Sequence, residues 1–228
     1  MNSSFRRGVR RSPPILLGYA PVGMAYGLLA QQTGIEIGPT LGLSLFVFAG
    51  ASQFVAVSML HSGSGVLVII GTAFVVNFRH FLMSAAIAPR LAKWKIWQRL
   101  ALGGMLTDES FALHSLYFAQ GDLDPTAAIT LNSIGYVVWV MSSAVGHRLG
   151  VLIENPKAWG LDFALPAMFV GLLLPSCRDK PAVTAALTGG AASVILSLLG
   201  AGSWAAFLGA LAGATVGTVI SVTGEAEA

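Results

Sequence analysis

The sequence is poor in charge and almost empty of cysteine. Of its 228 residues only 10% are Asp, Glu, Lys or Arg, against about 25% in soluble domains. A soluble fold of this length covers its surface with far more charge, so lipid is the solvent for much of this chain. Cys177 is the only cysteine, which excludes an intrachain disulfide and any multi-cysteine metal site. None of His61, His80, His114 and His147 opens an H-E-x-x-H motif, and there is no Walker A loop and no G-x-S-x-G elbow. The chain is therefore not read as an enzyme, and no metal or cofactor is expected.

What the sequence has in abundance is apolar runs. It is 55% hydrophobic and carries 27 glycines, a residue commoner in membrane helices than in soluble ones. Eight apolar segments cover about 14–32, 41–60, 66–88, 100–119, 127–146, 161–174, 182–199 and 204–222. A spanning helix needs about 20 such residues. The expected fold is an all-α polytopic membrane protein, one transporter domain over residues 1–228. The net charge of +3 comes from basic residues in the short connections. That is a membrane pattern rather than a nucleic-acid surface, so no nucleic acid partner is expected. Arg6, Arg7, Arg10 and Arg11 before the first run resemble the start of a signal peptide, but the apolar runs continue throughout, and a retained first helix is expected.

The connection charges constrain the topology. The positive-inside rule places the N-terminal arginines in the cytoplasm, and Arg90, Lys93, Lys95 and Arg99 with them. Three apolar segments separate the two clusters, so one of them does not cross. Segment 41–60, interrupted by Gly50-Ala51-Ser52-Gln53, is the expected re-entrant or broken one. Segment 161–174, short and carrying Pro166, is its counterpart, which places Arg148 and Lys157 before it and Arg178 and Lys180 after it on the cytoplasmic side. This leaves about six crossings plus two re-entrant segments. Both termini are then cytoplasmic, and Glu36, Asp122 and Asp124 lie in outside loops. A shift of 117 positions matches Gly18-Tyr19 to Gly135-Tyr136, Pro39 to Pro156 and Phe46 to Phe163. With helix 100–119 crossing between them, units 13–90 and 127–200 would form an inverted repeat, a common transporter plan.

Polar residues inside apolar segments are costly and mark function. Asn77-Phe78-Arg79-His80 lies within the third segment. Arg79 either snorkels to the cytoplasmic edge or lines a cavity with His80, where its planar fork binds a carboxylate and the imidazole carries a proton. Thr107-Asp108-Glu109 lies midway through the fourth segment. Gly103-Gly104 and Thr107 as a possible N-cap make a helix break plausible there. The acids either form a structural ion pair, Asp108 with Arg79 for example, or relay protons. Ala49-Gly50-Ala51-Ser52-Gln53-Phe54 reads equally as close helix packing with one hydrogen bond or as a substrate-binding kink. Asp162 precedes Pro166 in the matching stretch. Gly209, Gly213 and Gly217, spaced by four, suit close helix contact, either internal or with a partner.

Four runs together resemble one family. They are Phe48-Ala49-Gly50-Ala51-Ser52-Gln53-Phe54, Asn77-Phe78-Arg79-His80, Thr107-Asp108-Glu109-Ser110-Phe111 and Trp159-Gly160-Leu161-Asp162-Phe163-Ala164-Leu165-Pro166-Ala167. The chain is similar over nearly its whole length to the AzlC-type large subunits of branched-chain amino-acid exporters. Phe78 stands where that family often has leucine. The resemblance implies export of valine, leucine or isoleucine, with methionine as a further candidate, across the bacterial inner membrane. It also implies energy from an ion gradient and a small AzlD-type membrane subunit. The expected mechanism is proton antiport. Ser52, Gln53, Asn77, Arg79 and Pro166 are then the substrate contacts, and His80, Asp108 and Glu109 the proton carriers. The alternatives are an exporter of another small solute, or a passive channel on the same scaffold.

Overall fold

The computed structural model describes residues 3–152, 170, 173–174, 177, 179–201 and 204–226. The chain divides into two compact units, Met1–Asp162 and Phe163–Ala228. Among the described residues the regular elements are all helical. The first unit holds α1 (Ser3–Arg11), α2 (Pro13–Gln32), α3 (Ile37–Phe46), α4 (Gly50–His61), α5 (Val66–Ile87), α6 (Ile96–Gly104), α7 (Asp108–Ala119) and α8 (Pro125–Gly150). The second holds α9 (Lys180–Leu198) and α10 (Trp204–Ala226). Among the described residues four runs are long and apolar enough to span a bilayer: Pro13–Gln32, Val66–Leu91, Pro125–Gly150 and Lys180–Leu198. Local chemistry sets many of the boundaries. Proline stands at the start of α2 and α8, where its missing N–H costs nothing. Gly34 and Gly121, at φ +81° and +82°, close α2 and α7 in a conformation that L side chains resist.

The core of the first unit is the pair α2 and α8. Gly135 faces Ile15 and Tyr19, Gly23 faces Trp139 and Ser142, Gly27 faces Ser143 and His147, and Gly150 faces Gln31. The numbers rise together, so the two helices run parallel. A Cβ on Gly27 would lie 2.0 Å from the Ser143 carbonyl oxygen, and one on Gly146 1.9 Å from that of Met24. The backbones touch, which is what glycine at four-residue spacing allows. Helix α1 closes the lower end. Gly8 packs on Ala127 and Thr130. Arg11 pairs with Asp122 at 2.5 Å, and Arg7 with Asp122 at 3.1 Å and Asp124 at 3.8 Å.

Helices α3 and α4 fold back on each other. The Tyr26 hydroxyl donates to the Thr40 carbonyl at 3.1 Å, while its ring meets that of Phe54 at 5.7 Å. A continuous helix would set residues 40 and 54 about 21 Å apart. The turn falls at Val47–Ala49, where Phe48 takes φ +44°, a left-handed conformation that a bulky residue adopts only when its surroundings fix it. Helices α6 and α7 fold back in the same way, from the other end. Trp94 before α6 stacks edge-on against Phe118 near the end of α7, at 6.0 Å, and the break lies at Met105–Thr107. Ile87, Leu91, Trp94, Leu102, Leu106, Phe118 and Ala128 form the apolar cluster beneath it.

These contacts correct several sequence expectations. Gly50-Ala51-Ser52-Gln53 is the first turn of α4, and the interruption of segment 41–60 lies just before it. Segment 100–119 does not run straight through, since Trp94 before it and Phe118 near its end are in contact and the helix breaks between Gly104 and Asp108. Asp122 and Asp124 lie at the same end as Arg7 and Arg11, not opposite them. His147 meets the Ile35 carbonyl at 2.9 Å, so the neighbouring Arg148 lies at the far end from the N-terminal arginines. The parallel course of α2 and α8 is also incompatible with units 13–90 and 127–200 being inverted copies. The expectation for segment 161–174, with Asp162 and Pro166, falls almost wholly outside the described residues. In the second unit α9 and α10 run antiparallel. Gly209 faces Gly189 and Ser193, Gly213 faces Ala185 and Gly189, and Gly217 faces Pro181 and Ala185, so that glycine ladder serves internal packing.

Candidate functional site

Two broken helices need partners for their free backbone groups, and α8 supplies them to both. At the first break the Tyr136 hydroxyl donates to the Leu45 carbonyl at 2.7 Å. At the second, the Asn132 amide donates to the carbonyls of Met105 at 3.1 Å and Leu102 at 3.4 Å. Those two bonds turn the Asn132 oxygen toward His114, 2.8 Å from Nε2, so the ring carries its proton there. Both residues are buried.

Below the first break lies a closed ring of hydrogen bonds. The Trp139 indole donates to Gln53 Oε1 at 3.1 Å, Gln53 Nε2 donates to Ser44 at 3.1 Å, and Ser44 donates to Ser143 at 3.0 Å. Ser143 returns the chain to the Trp139 carbonyl at 2.8 Å. Ser52 donates to the Ala49 carbonyl at 3.0 Å. Gln53, fully buried, thus braces α4 against α3 and α8, and Ser52 braces the start of α4.

At the second break Thr107 is the N-cap of α7. Its oxygen accepts from the Ser110 amide at 3.3 Å, and the Ser110 hydroxyl accepts from the Thr107 amide at 2.9 Å. Asp108, in the first turn where the helix dipole favours an anion, pairs with Arg79 of α5 at 2.9 Å. The arginine is therefore held mid-helix by an opposite charge rather than drawn to the edge beside Arg90. Asn77 Oδ1 and Arg79 Nε are buried with no hydrogen-bond partner. Such orphans cost about 1–3 kcal/mol each and call for an occupant. His80 Nδ1 lies 3.2 Å from the Asn77 carbonyl on its own helix. Glu109 is exposed on the surface of its unit.

The sequence reading thus gathers into two groups. Asn77, Arg79, His80, Asp108 and Glu109 surround the second break. Ser52 and Gln53 stand at the first. Tyr19 connects the breaks and was missed, as were Ser44, Asn132, Tyr136 and Trp139. Its hydroxyl bonds that of Thr107, and its ring meets Phe48 at 6.3 Å and Trp139 at 5.6 Å, both edge-on. The only trace of it in the sequence is the Gly18-Tyr19 and Gly135-Tyr136 match. Among the described residues no cluster of His, Cys, Asp and Glu is arranged to hold a metal ion.

Comparison with known proteins agrees with these motifs. The family model described as AzlC protein matches residues 14–153, more than half the chain. An uncharacterized membrane protein of Archaeoglobus fulgidus is 34% identical over 214 residues, 93% of each chain. The inner membrane protein YgaZ of Escherichia coli is 32% identical, over 86% of this chain and 83% of its own. The branched-chain amino acid transport protein AzlC of Bacillus subtilis is 25% identical, over 88% of this chain and 79% of its own. No solved structure matches. On this evidence the chain belongs to the AzlC family of membrane transport proteins.

Proposed function

We propose that the protein is a secondary transporter that exports branched-chain amino acids, valine, leucine and isoleucine with methionine as a further substrate, across the inner membrane by proton antiport. The observation that carries this reading is the Arg79–Asp108 pair beside two orphaned polar atoms. A zwitterion matches that set. Its carboxylate takes the Arg79 fork, and its ammonium takes Asp108 with the Asn77 oxygen. The acid that holds the ammonium cannot hold a proton at the same time. Protonation from outside expels the amino acid, and loss of the proton inside restores its acceptor, which is the exclusion antiport requires. His80 and Glu109 flank the pair and pass protons to it. The name of the Bacillus subtilis relative supports the same substrate class.

In this reading the folded-back pairs α3–α4 and α6–α7 enter from opposite membrane faces. Non-helical backbone at that depth is tolerated only where protein or water covers it, and α8 provides the cover. The end bearing Arg7, Arg11, Arg90 and Lys95 is cytoplasmic, and a small AzlD-type subunit accompanies the chain. The test is efflux of labelled leucine, valine, isoleucine and methionine from proteoliposomes, with and without an imposed proton gradient and with and without the small subunit. Saturable efflux that follows the gradient is expected. Absence of efflux with the partner present overturns the substrate. Gradient-driven efflux that survives Asp108→Asn combined with Glu109→Gln overturns the carriers.

A further inference from the structure

We infer that Tyr19 is the positioning residue that couples the charged pair to the opposite folded-back helix, so that the protonation state beside Thr107 is felt at Phe48. Tyr19 touches both breaks at once. Its hydroxyl joins the cap residue of α7, whose neighbour Asp108 holds Arg79. Its ring packs against Phe48, the residue held in a left-handed conformation at the turn of α3–α4.

The seat is narrow. Tyr19 is 4% exposed. A Cβ on Gly135 would lie 3.1 Å from its ring, so glycine there is what lets the ring approach α8 this closely. Trp139, one turn further along α8, meets the ring edge-on at 5.6 Å, and Trp139 is also where the Gln53–Ser44–Ser143 hydrogen bonds begin and end. Movement of Tyr19 therefore disturbs the first break through two routes, Phe48 and Trp139.

The link to the second break is made through the Tyr19 hydroxyl, which bonds that of Thr107 and has the Glu109 carboxylate of the same helix turn beside it. Thr107 Oγ1 already accepts from the Ser110 amide. When α7 shifts on breaking the Arg79–Asp108 pair, its cap residue shifts with it, and the Tyr19–Thr107 bond is lost or kept accordingly. A hydroxyl bond contributes about 1 kcal/mol, which sets the expected effect at roughly fivefold in an opening equilibrium.

This inference deepens the proton-coupled reading and rests on it for its role in transport, but its structural part is tested without any substrate. In a Cys177→Ser background, Ala49→Cys places a thiol at the first break, and its labelling rate by a small water-soluble thiol reagent is measured in proteoliposomes. Ala49 is buried, so labelling is slow. Tyr19→Phe, which keeps the ring and removes the hydroxyl, is expected to raise the rate about fivefold. Thr107→Val is expected to do the same, and Thr107→Ser, which keeps a hydroxyl, to leave it slow. Unchanged labelling in both Tyr19→Phe and Thr107→Val overturns the link. The transport arm measures amino acid moved per proton. Tyr19→Phe is expected to lower that ratio while leaving the KM for substrate within about twofold. A merely structural role lowers the amount of folded protein and leaves the ratio intact. Failure of the wild-type protein to move amino acids sinks the exporter reading alone, because the labelling result does not depend on it.

Discussion

Arg79 and Asp108 show how one contact serves stability and chemistry together. Their side chains are 30% and 32% exposed, so the pair is neither a screened surface bridge nor a fully dry one. Arg79→Lys keeps the charge and loses the fork. In transport it is expected to raise the substrate KM about tenfold or more with kcat little changed, since a charge-assisted bond is worth roughly 1.5–3 kcal/mol. Asp108→Asn is expected to separate flux from coupling: exchange of labelled for unlabelled substrate continues at a raised KM, because the ammonium loses its anionic partner, while efflux no longer responds to a pH gradient. Counterflow and gradient-driven assays on the same vesicles read the two apart. This pair was legible in the sequence because charges stand out against apolar surroundings. Tyr19 and Trp139 were not, because an aromatic residue mid-helix reads as lipid-facing or core until its neighbours are known. Gln53 was legible as important but not in its role, since only the structure shows both ends of its amide engaged.

Among the elements, α1 is held by charge and α2 by shape. Burial pushes the Asp122 carboxyl up, but hydrogen bonds from Arg11 and Arg7 and from the Asp124 amide outweigh it, and the net displacement is below its ordinary 3.8. A carboxylate lowered in the folded state stabilises it above the unfolded pKa and loses that contribution as pH falls through the folded one. The docking of α1 should thus be constant from neutral pH down to about pH 4 and weaken only below it. Asp122→Asn should free it at neutral pH, read as faster tryptic cleavage within Ser3–Arg11. For α2, Gly27→Ala drives a methyl into the Ser143 carbonyl at 2.0 Å. Overpacking costs about 1–3 kcal/mol, so a lower unfolding temperature in detergent is expected. Gly18→Ala meets nothing within 4 Å on the same helix and is expected to be neutral or stabilising by up to about 1 kcal/mol. Opposite outcomes at two glycines of one helix would separate packing from propensity. The sequence signalled helices and their approximate limits well. It did not signal which glycines touch, because that depends on the register between α2 and α8.

At the scale of the whole molecule, the arrangement of ends is the part that charge counting misjudged. It assigned a non-crossing segment to the first half, because the two basic clusters had to share a side. It then let segment 100–119 cross, because its length and apolar character are those of a spanning helix, and this carried Asp122 to the wrong face. What decides the matter is contact rather than composition. Arg7 and Arg11 grip Asp122, the Trp94 indole donates to the Leu123 carbonyl at 3.2 Å, and Arg90 reaches the Ser115 carbonyl at 3.3 Å. Three separate connections meet at one end, which a spanning α6–α7 could not allow. Single cysteines at positions 36, 95 and 122 in the Cys177→Ser background test this in intact cells with a membrane-impermeant thiol reagent. Positions 95 and 122 are expected to behave alike, protected outside and labelled in inverted vesicles, and position 36 to behave in the opposite way. Labelling of 122 together with 36 would mean that α6 and α7 form one crossing helix, and would remove the second broken helix, with its Thr107 cap, from the transport site.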